Sequence, residues 1–451
     1  MAEWLSRDEA RQLADRVLAL SKAEGCQVNI GSGSGGNTRY AVDGISTSGD
    51  AANATVTVSA RFGKRAASVT TNVFDDDGLR RAVETSERLA QLAPENPELM
   101  PLLGAQQYAA VPAFWRSTAE LDAGRRADAI RAALDVVERA GLVAAGFVER
   151  LAGAGAVANS AGLFAYHSST SAVHTLTVRT PDWRGSGWAG TAHNDWWRLT
   201  RPATLAERAV KKATESRDPV TLDPGKYTVV LEPTAAGNLL RLLTFAMNAR
   251  QADEGRSFFS KRGGGNKVGE KVVDERISIV SDPRDADLLL SPYTGEGLPV
   301  EPTVWIENGV VKNLIYDRFW ADKQGVKPVP FPGGFRMRGG NASLDDLIAQ
   351  VDRGVLVTRF WYIRGVDPRT VLYTGLTRDG VFLIEQGKVT RAVRNFRFNE
   401  SPAAMLNNLV ALGRPERVSA SESGGVEGGG AVVVPPIVCR EFTFSSISEA
   451  V

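Results

Sequence analysis

Only three histidines, His167, His174 and His193, are available to this 451-residue chain as metal ligands or general bases. Catalytic zinc takes about three protein ligands and keeps one position open for water. Its usual helical motif brings two imidazoles to one metal with a glutamate between them. No two of the three histidines have that spacing. His167 and His174 fall in one strand-like stretch, and their odd separation predicts opposite faces of a sheet. Each is read as a hydrogen-bonded structural histidine. Asp253 with Glu254, and Asp285 with Asp287, could supply oxygens, but such hard sites suit other ions and surface loops are their ordinary setting. Ser257 has no histidine in the second half of the chain to act as its base. A lysine base, Lys261 or Lys267, would need strong desolvation.

Cys26 and Cys439 lie far apart, make no metal spacing and rule out a disulfide framework, as suits a reducing cytoplasm. They are read as small buried hydrophobes. Trp183, Trp188, Trp196 and Trp197, with Trp320 and Trp361, form an unusual aromatic group that serves equally as core or as interaction surface.

The elements that must position these groups follow from periodicity. Ala10, Leu13, Ala14, Val17 and Leu18 give one apolar stripe to a helix over Leu5–Ser21, with Ser6 and Glu9 as its capping box. Further helices are expected after Asp75-Asp-Asp-Gly78, over Ala123–Ala140 and over Leu205–Ser216. Strands are expected at Ala54–Ala60, Ala67–Thr71, Leu163–Tyr166 and Val173–Val178, with a glycine-rich turn at Gly31–Gly36. That turn lacks the Gly-Lys-Ser/Thr of a phosphate loop. From Tyr227 onward short strands alternate with turns such as Glu307-Asn-Gly309, Arg378-Asp-Gly380 and Glu385-Gln-Gly387, which is hairpin logic.

The length predicts two domains, divided near Asp223-Pro-Gly225 into residues 1–222 and 223–451. The expected fold class is α+β. The N-terminal α/β domain would have a mixed sheet and amphipathic helices, and the C-terminal domain would be β-rich and barrel-like. Residues 418–430, rich in glycine, are expected to form a mobile loop before the last strand. With 53 basic and 52 acidic residues the formal charge is +1, so no field steers the chain to nucleic acid or membrane. No apolar run reaches membrane-spanning length, and Met1–Ala10 is too acidic for a signal peptide. The expectation is a soluble cytoplasmic protein.

Several ordered strings give the chain a family resemblance. A strand at Tyr227–Glu232 leads through Pro233 to Leu239–Ala246, then to Gly255-Arg-Ser-Phe-Phe-Ser260 and Gly263–Gly265. Lys267-Val-Gly-Glu-Lys271, Ile277–Pro283, Gly295-Glu-Gly297, Gly339-Gly-Asn341 and Val393-Arg-Asn-Phe-Arg-Phe-Asn-Glu-Ser401 follow. In this order they resemble the TldD/PmbA (TldD/TldE) family. The resemblance implies a proteolytic system in which a TldD-type subunit holds zinc through His-Glu-x-x-x-His and a C-terminal cysteine and cleaves unfolded peptides. A TldE/PmbA-type subunit completes the cavity without metal.

Carried over residue by residue, the two histidines and the glutamate fall at Arg241, Ala246 and Leu242, and the cysteine falls near Ser421–Gly425, which has none. The helix Leu239–Ala246 is apolar almost all round and is expected to be covered on most sides. The resemblance thus implies a zinc-less TldE/PmbA-like subunit with no cofactor of its own, zinc being expected only in a TldD-type partner. Its partners would be that subunit in a heterodimer, or a second copy in a homodimer, and an unfolded peptide. Arg256, Ser257, Phe258, Asn395, Phe396 and Asn399 are the candidate peptide or partner contacts. Two alternatives stand beside this reading: an active peptidase with a non-standard site, and a modulator of DNA gyrase acting by protein contact.

Overall fold

The computed structural model describes residues 4–42, 44–418 and 431–449. Of the loop expected at 418–430, Val418 is the last residue of a strand and 419–430 lie outside the described residues, as does the Ser421–Gly425 position. The first helix, α1 (Arg7–Leu20), starts at the Ser6–Glu9 capping box and buries Ala10, Leu13, Ala14 and Val17. After it come β1 (Gly25–Ala41), β2 (Gly44–Phe62), β3 (Arg65–Thr71) and α2 (Asp76–Leu92), the last capped by the Asp75 carboxylate. A short α3 (Arg116–Ala119) precedes α4 (Ala123–Arg139), β4 (Val143–Asn159), β5 (Phe164–Arg179) and β6 (Ser186–His193). The six strands form one sheet in the order β3-β2-β1-β4-β5-β6. Helices α1 and α2 pack on one part of its buried face, and α4 with α5 (Pro202–Glu215) on another.

Three expectations change here. Every neighbouring pair in this sheet is antiparallel, so the sheet is not mixed. Gly31–Gly36 is the middle of β1 rather than a turn. Glycine serves there because the neighbouring backbone comes close: a Cβ on Gly33 would stand 2.7 Å from the Ala152 carbonyl oxygen. The segments Leu163–Tyr166 and Val173–Val178 belong almost wholly to one long strand, β5, because its ladder with β4 runs without a break from Phe164 to Arg179.

The remaining elements begin with β7 (Gly225–Leu231), α6 (Pro233–Phe245) and α7 (Ala249–Asp253). Pro233 is the first residue of α6, where its missing N–H costs nothing. One sheet contains β8 (Ile279–Ser281), β9 (Thr303–Glu307), β10 (Val310–Val311), β11 (Phe335–Met337), β19 (Glu416–Val418) and β20 (Val432–Val434), in the order β10-β9-β8-β11-β20-β19. The other contains β7 with β12 (Arg353–Val357), β13 (Phe360–Asp367), β14 (Leu372–Thr377), β15 (Val381–Glu385), β16 (Lys388–Ala392), β17 (Phe396–Glu400), β18 (Leu409–Leu412) and β21 (Ile437–Ile447). Its order is β13-β14-β17-β21-β7-β12-β15-β16, with β18 beside β21.

Both sheets are open, so the barrel-like form is not what the C-terminal region adopts; the fold is α+β with sheets whose edges stay apart. The turns at Asn308-Gly309 and Gln386-Gly387 close true hairpins, each with both residues at positive φ. The turn at Asp379-Gly380 does not, because it joins β14 to β15, which do not pair. Its aspartate is used elsewhere, as described below. No helix is long and apolar enough to cross a membrane among the described residues.

Candidate functional site

Helix α6 lies with Ala235, Ala236, Leu239, Leu240 and Leu243 fully buried in the main core of this region. Gly237 allows β19 and β20 to close on it, since a Cβ there would stand 2.8 Å from the Val418 Cγ2. The opposite stripe is different. Thr234, Asn238, Arg241 and Leu242 are only partly covered, and Phe245 is 54% exposed. Their spacing puts them on one helical face. The helix is therefore less enclosed than its all-round apolar sequence predicted, because among the described residues no element packs fully over this stripe. Burial lowers the pKa of the Arg241 guanidinium below its usual value.

Ala246 ends the helix, and its carbonyl accepts a hydrogen bond from Ser257 Oγ at 2.9 Å. The same Oγ accepts from the Phe259 N–H at 3.2 Å, while the Ser257 N–H donates to Ser260 Oγ. Ser257 is buried, and both roles of its hydroxyl go to backbone groups. Phe258 donates its N–H to the Pro368 carbonyl and lies beneath the Lys267 ammonium, 4.1 Å from the ring centroid. Arg256 is exposed and paired with Glu254. Tyr373 reaches the same region, its hydroxyl 3.4 Å from the Leu242 carbonyl. The exposed Phe245 and half-buried Phe258 and Tyr373 thus surround the end of α6.

The other three candidates are elsewhere. Phe396 is fully buried and stacks on Phe444 at 4.4 Å, so it is core. Asn399 is exposed on β17, paired in register with Thr374. Asn395 precedes β17 and accepts from Thr377 Oγ1 at 3.1 Å. It lines a cavity of about 290 Å³ together with Trp183, Arg217 and Arg394. Asn399 lies four residue steps beyond Asn395, about 13 Å along an extended strand. The structure brings Arg256, Ser257 and Phe258 together but not these with Asn395.

The seam between the first sheet and the rest carries a group that the sequence did not mark. Arg359, just before β13, places its guanidinium 4.8 Å from the Trp188 ring centroid and 4.9 Å from that of Trp361. Its Nε is 3.3 Å from the carboxylate of Asp379, which also accepts from Ser186 Oγ. Lys212 of α5 pairs with Glu232, the residue before α6, at 2.7 Å. Tyr293 donates to the Gly155 carbonyl at 2.6 Å and Tyr108 to the Gly297 carbonyl at 2.8 Å. The one available signal was the clustering of tryptophans, and it divides both ways: Trp188 and Trp320 are buried, whereas Trp183 and Trp197 are exposed.

The positions matched by the resemblance to the two zinc-binding histidines offer a guanidinium and a methyl group, at Arg241 and Ala246, and the position of the catalytic glutamate offers the leucyl group of Leu242. A guanidinium stays protonated in proteins and none of the three can donate to a metal, so these residues do not fit zinc. Among the described residues no three His, Cys, Asp or Glu side chains come together. His174 is buried with Nε2 3.2 Å from the Tyr40 hydroxyl, and His193 Nδ1 accepts the Asp195 N–H at 2.9 Å. Burial brings both imidazoles down to about 4. Cys26 and Cys439 are both buried, and burial raises both thiols.

The PmbA/TldA metallopeptidase C-terminal domain matches residues 224–446, and the central domain of the same group matches residues 118–217. The chain belongs to the PmbA/TldD family. A metalloprotease of Methanothermobacter thermautotrophicus is 25% identical over 230 residues, which is 47% of each chain. The chain thus spans about half the length of the curated relatives it matches. TldE from Thermococcus kodakarensis superposes with a TM-score of 0.82 at 19% identity, over 97% of this chain and 99% of that one. A Thermotoga maritima protein proposed as a modulator of a DNA gyrase superposes with a TM-score of 0.81 at 18% identity, over 97% and 100%. At such identities these neighbours share the PmbA/TldD-type fold.

Proposed function

We propose that this chain is a zinc-less, TldE/PmbA-like subunit of a cytoplasmic metallopeptidase system that acts on unfolded peptides. The observation that carries the reading is the open face of α6. It presents Arg241 and Leu242, with Asn238 and Phe245 beside them, where the resemblance places a zinc-binding histidine and the catalytic glutamate of a metal-bearing member of the PmbA/TldD family. A face of that composition can hold an extended chain by apolar contact and by hydrogen bonds to backbone, with little demand on sequence. Hydrolysis would then be the work of a TldD-type partner that brings its own zinc.

The test uses the purified full chain, alone and mixed with a TldD-type protein that retains His-Glu-x-x-x-His. Zinc content and cleavage of an unfolded peptide are measured for each. The reading expects substoichiometric zinc and no cleavage by the lone chain, and cleavage by the mixture. Stoichiometric zinc with cleavage by the lone chain would establish the alternative of a non-standard active site. A modulator of DNA gyrase acting by protein contact draws support from the descriptions of the Thermotoga maritima neighbour and of one from Bacteroides thetaiotaomicron, and from no residue of the site.

A further inference from the structure

A cleft of about 780 Å³ lies between α5 and the sheet that contains β7. Its floor is a cross-strand row. Leu356 of β12 stands opposite Phe382 of β15, and Phe382 opposite Ala392 of β16, so the three share one face of the sheet. Leu344 and Ile348 of a short helix, Leu344–Ala349, extend this apolar lining, as does Val389 of β16, which is 37% exposed. The charged groups around the floor are divided by sign. Helix α5 turns Arg208, Lys211, Lys212 and Glu215 to the cleft, spaced as one helical face. Lys212 is taken up by Glu232 at 2.7 Å, and Lys211 lies 4.0 Å from Glu215. No ion pair engages the exposed Arg208 among the described residues. The other walls carry Asp345 of the short helix and Glu416 of β19, both exposed and, among the described residues, outside any ion pair.

We infer that this cleft binds a short peptide with both termini free. Its carboxylate meets Arg208 and Lys211, its ammonium meets Asp345 and Glu416, and its apolar side chains lie against Leu344, Phe382 and Val389. Four cationic and four anionic side chains line the cleft, so neither a simple anion nor a simple cation is favoured, whereas a ligand carrying one charge of each sign is. A cleft of this volume takes a ligand of drug size, which for a peptide is about three to five residues, and an apolar floor with a few placed charges is the usual composition of such a site. The termini, rather than particular side chains, supply the recognition. The inference does not rest on the peptide-subunit reading. Helix α6 gives only Pro233 to this lining, and Phe245 lies about 18 Å further along the helix axis.

The full chain is titrated calorimetrically with the peptide Ala-Leu-Ala-Leu-Ala, its termini free, and with the N-acetylated and the C-terminal carboxamide forms. The free peptide is expected to bind, and either cap to weaken it about fivefold, as suits an ion pair at the border of an open cleft. Arg208→Glu should weaken the free and acetylated peptides and leave the carboxamide unchanged. Asp345→Lys should weaken the free and carboxamide peptides and leave the acetylated form unchanged. Both side chains are exposed, so neither change disturbs folding. Val389→Trp should fill part of the cleft and lower affinity for all three forms. Equal affinity for capped and free peptides, or no binding at millimolar peptide, would overturn the inference. Binding that Phe245→Ser abolishes and Arg208→Glu leaves intact would overturn it too, and would assign the peptide to α6 instead.

Discussion

The Arg359 guanidinium carbon sits 4.8 Å from the centroid of the Trp188 ring, and through this contact the last strand of the first sheet is held to the region that begins at β7. Both residues are buried. A cation stacked on an indole away from water is attracted by the ring quadrupole, by up to about 2 kcal/mol when desolvated. Such a charge also needs a counter-ion, and Asp379 provides it from a turn whose backbone is left-handed at φ 54°. The helix face proposed to bind peptide, on α6, and the first sheet therefore keep a fixed relation through a small charged cluster.

Asp379→Asn is expected to destabilise the protein by about 3 kcal/mol, because it leaves the Arg359 charge buried beside a neutral amide. Adding Arg359→Met should recover most of that loss, since the second change removes the charge that Asp379 balances. Urea unfolding midpoints of the two single variants and the double variant measure this. An Asp379→Asn midpoint equal to the parent's would show that the pair holds nothing together.

Stability should fall on acidification as the buried histidine is forced to take up a proton. His174 titrates at about 4 in the folded chain because burial disfavours its charged form. In the unfolded chain its pKa is about 6.5. The folded value is the lower one, so its contribution is fully present above about 6.5 and is lost as pH falls through about 4. The difference is on the order of 3 kcal/mol. His174→Gln should show a flatter dependence between those limits, measured by urea unfolding across the range.

Ser257→Ala should cost about 1–2 kcal/mol of stability, because it leaves the Ala246 carbonyl and the Phe259 N–H without their shared partner. Peptide binding should change less than twofold, since the hydroxyl is turned inward. Parallel unfolding and binding measurements separate the two effects. A large loss of binding with no loss of stability would return Ser257 to the role of a contact residue.

Phe245→Ser should do the reverse. Phe245 is 54% exposed, so its removal should move stability by no more than about 0.5 kcal/mol. If the open face of α6 receives peptide, affinity for a labelled unfolded peptide should fall at least about fivefold, equivalent to about 1 kcal/mol. Fluorescence anisotropy with that peptide is the measurement, and unchanged affinity would remove this face from the binding site.

Much of the local structure was legible because it is decided within a few residues. The Ser6–Glu9 capping box, the Asp75 cap of α2, the apolar stripe of α4 and the two Asn-Gly and Gln-Gly hairpins depend on neighbours in sequence. Reading failed where distant backbone decided. Gly31–Gly36 looked like a turn because glycine is most common there, yet β4 is packed against it. The run Val355–Tyr362, β-branched and aromatic in composition, divides into β12, which pairs with β7 and β15, and β13, which pairs with β14. Among the candidate contacts, Phe396 was chosen for its motif, and its burial against Phe444 depends on the pairing of β17 with β21.

By itself the sequence determined which chemistry the chain can offer. Three histidines in one half, and Arg241, Leu242 and Ala246 in the other, fix the available donors whatever the fold. It also determined where the caps and hairpins begin. Only the tertiary structure decided that one face of α6 stays open, that Ser257 spends its hydroxyl on backbone, and that Arg359 joins Trp188 and Asp379 across the seam. Exposure and pairing are sums over residues far apart in the chain, and no local pattern of residue types contains them.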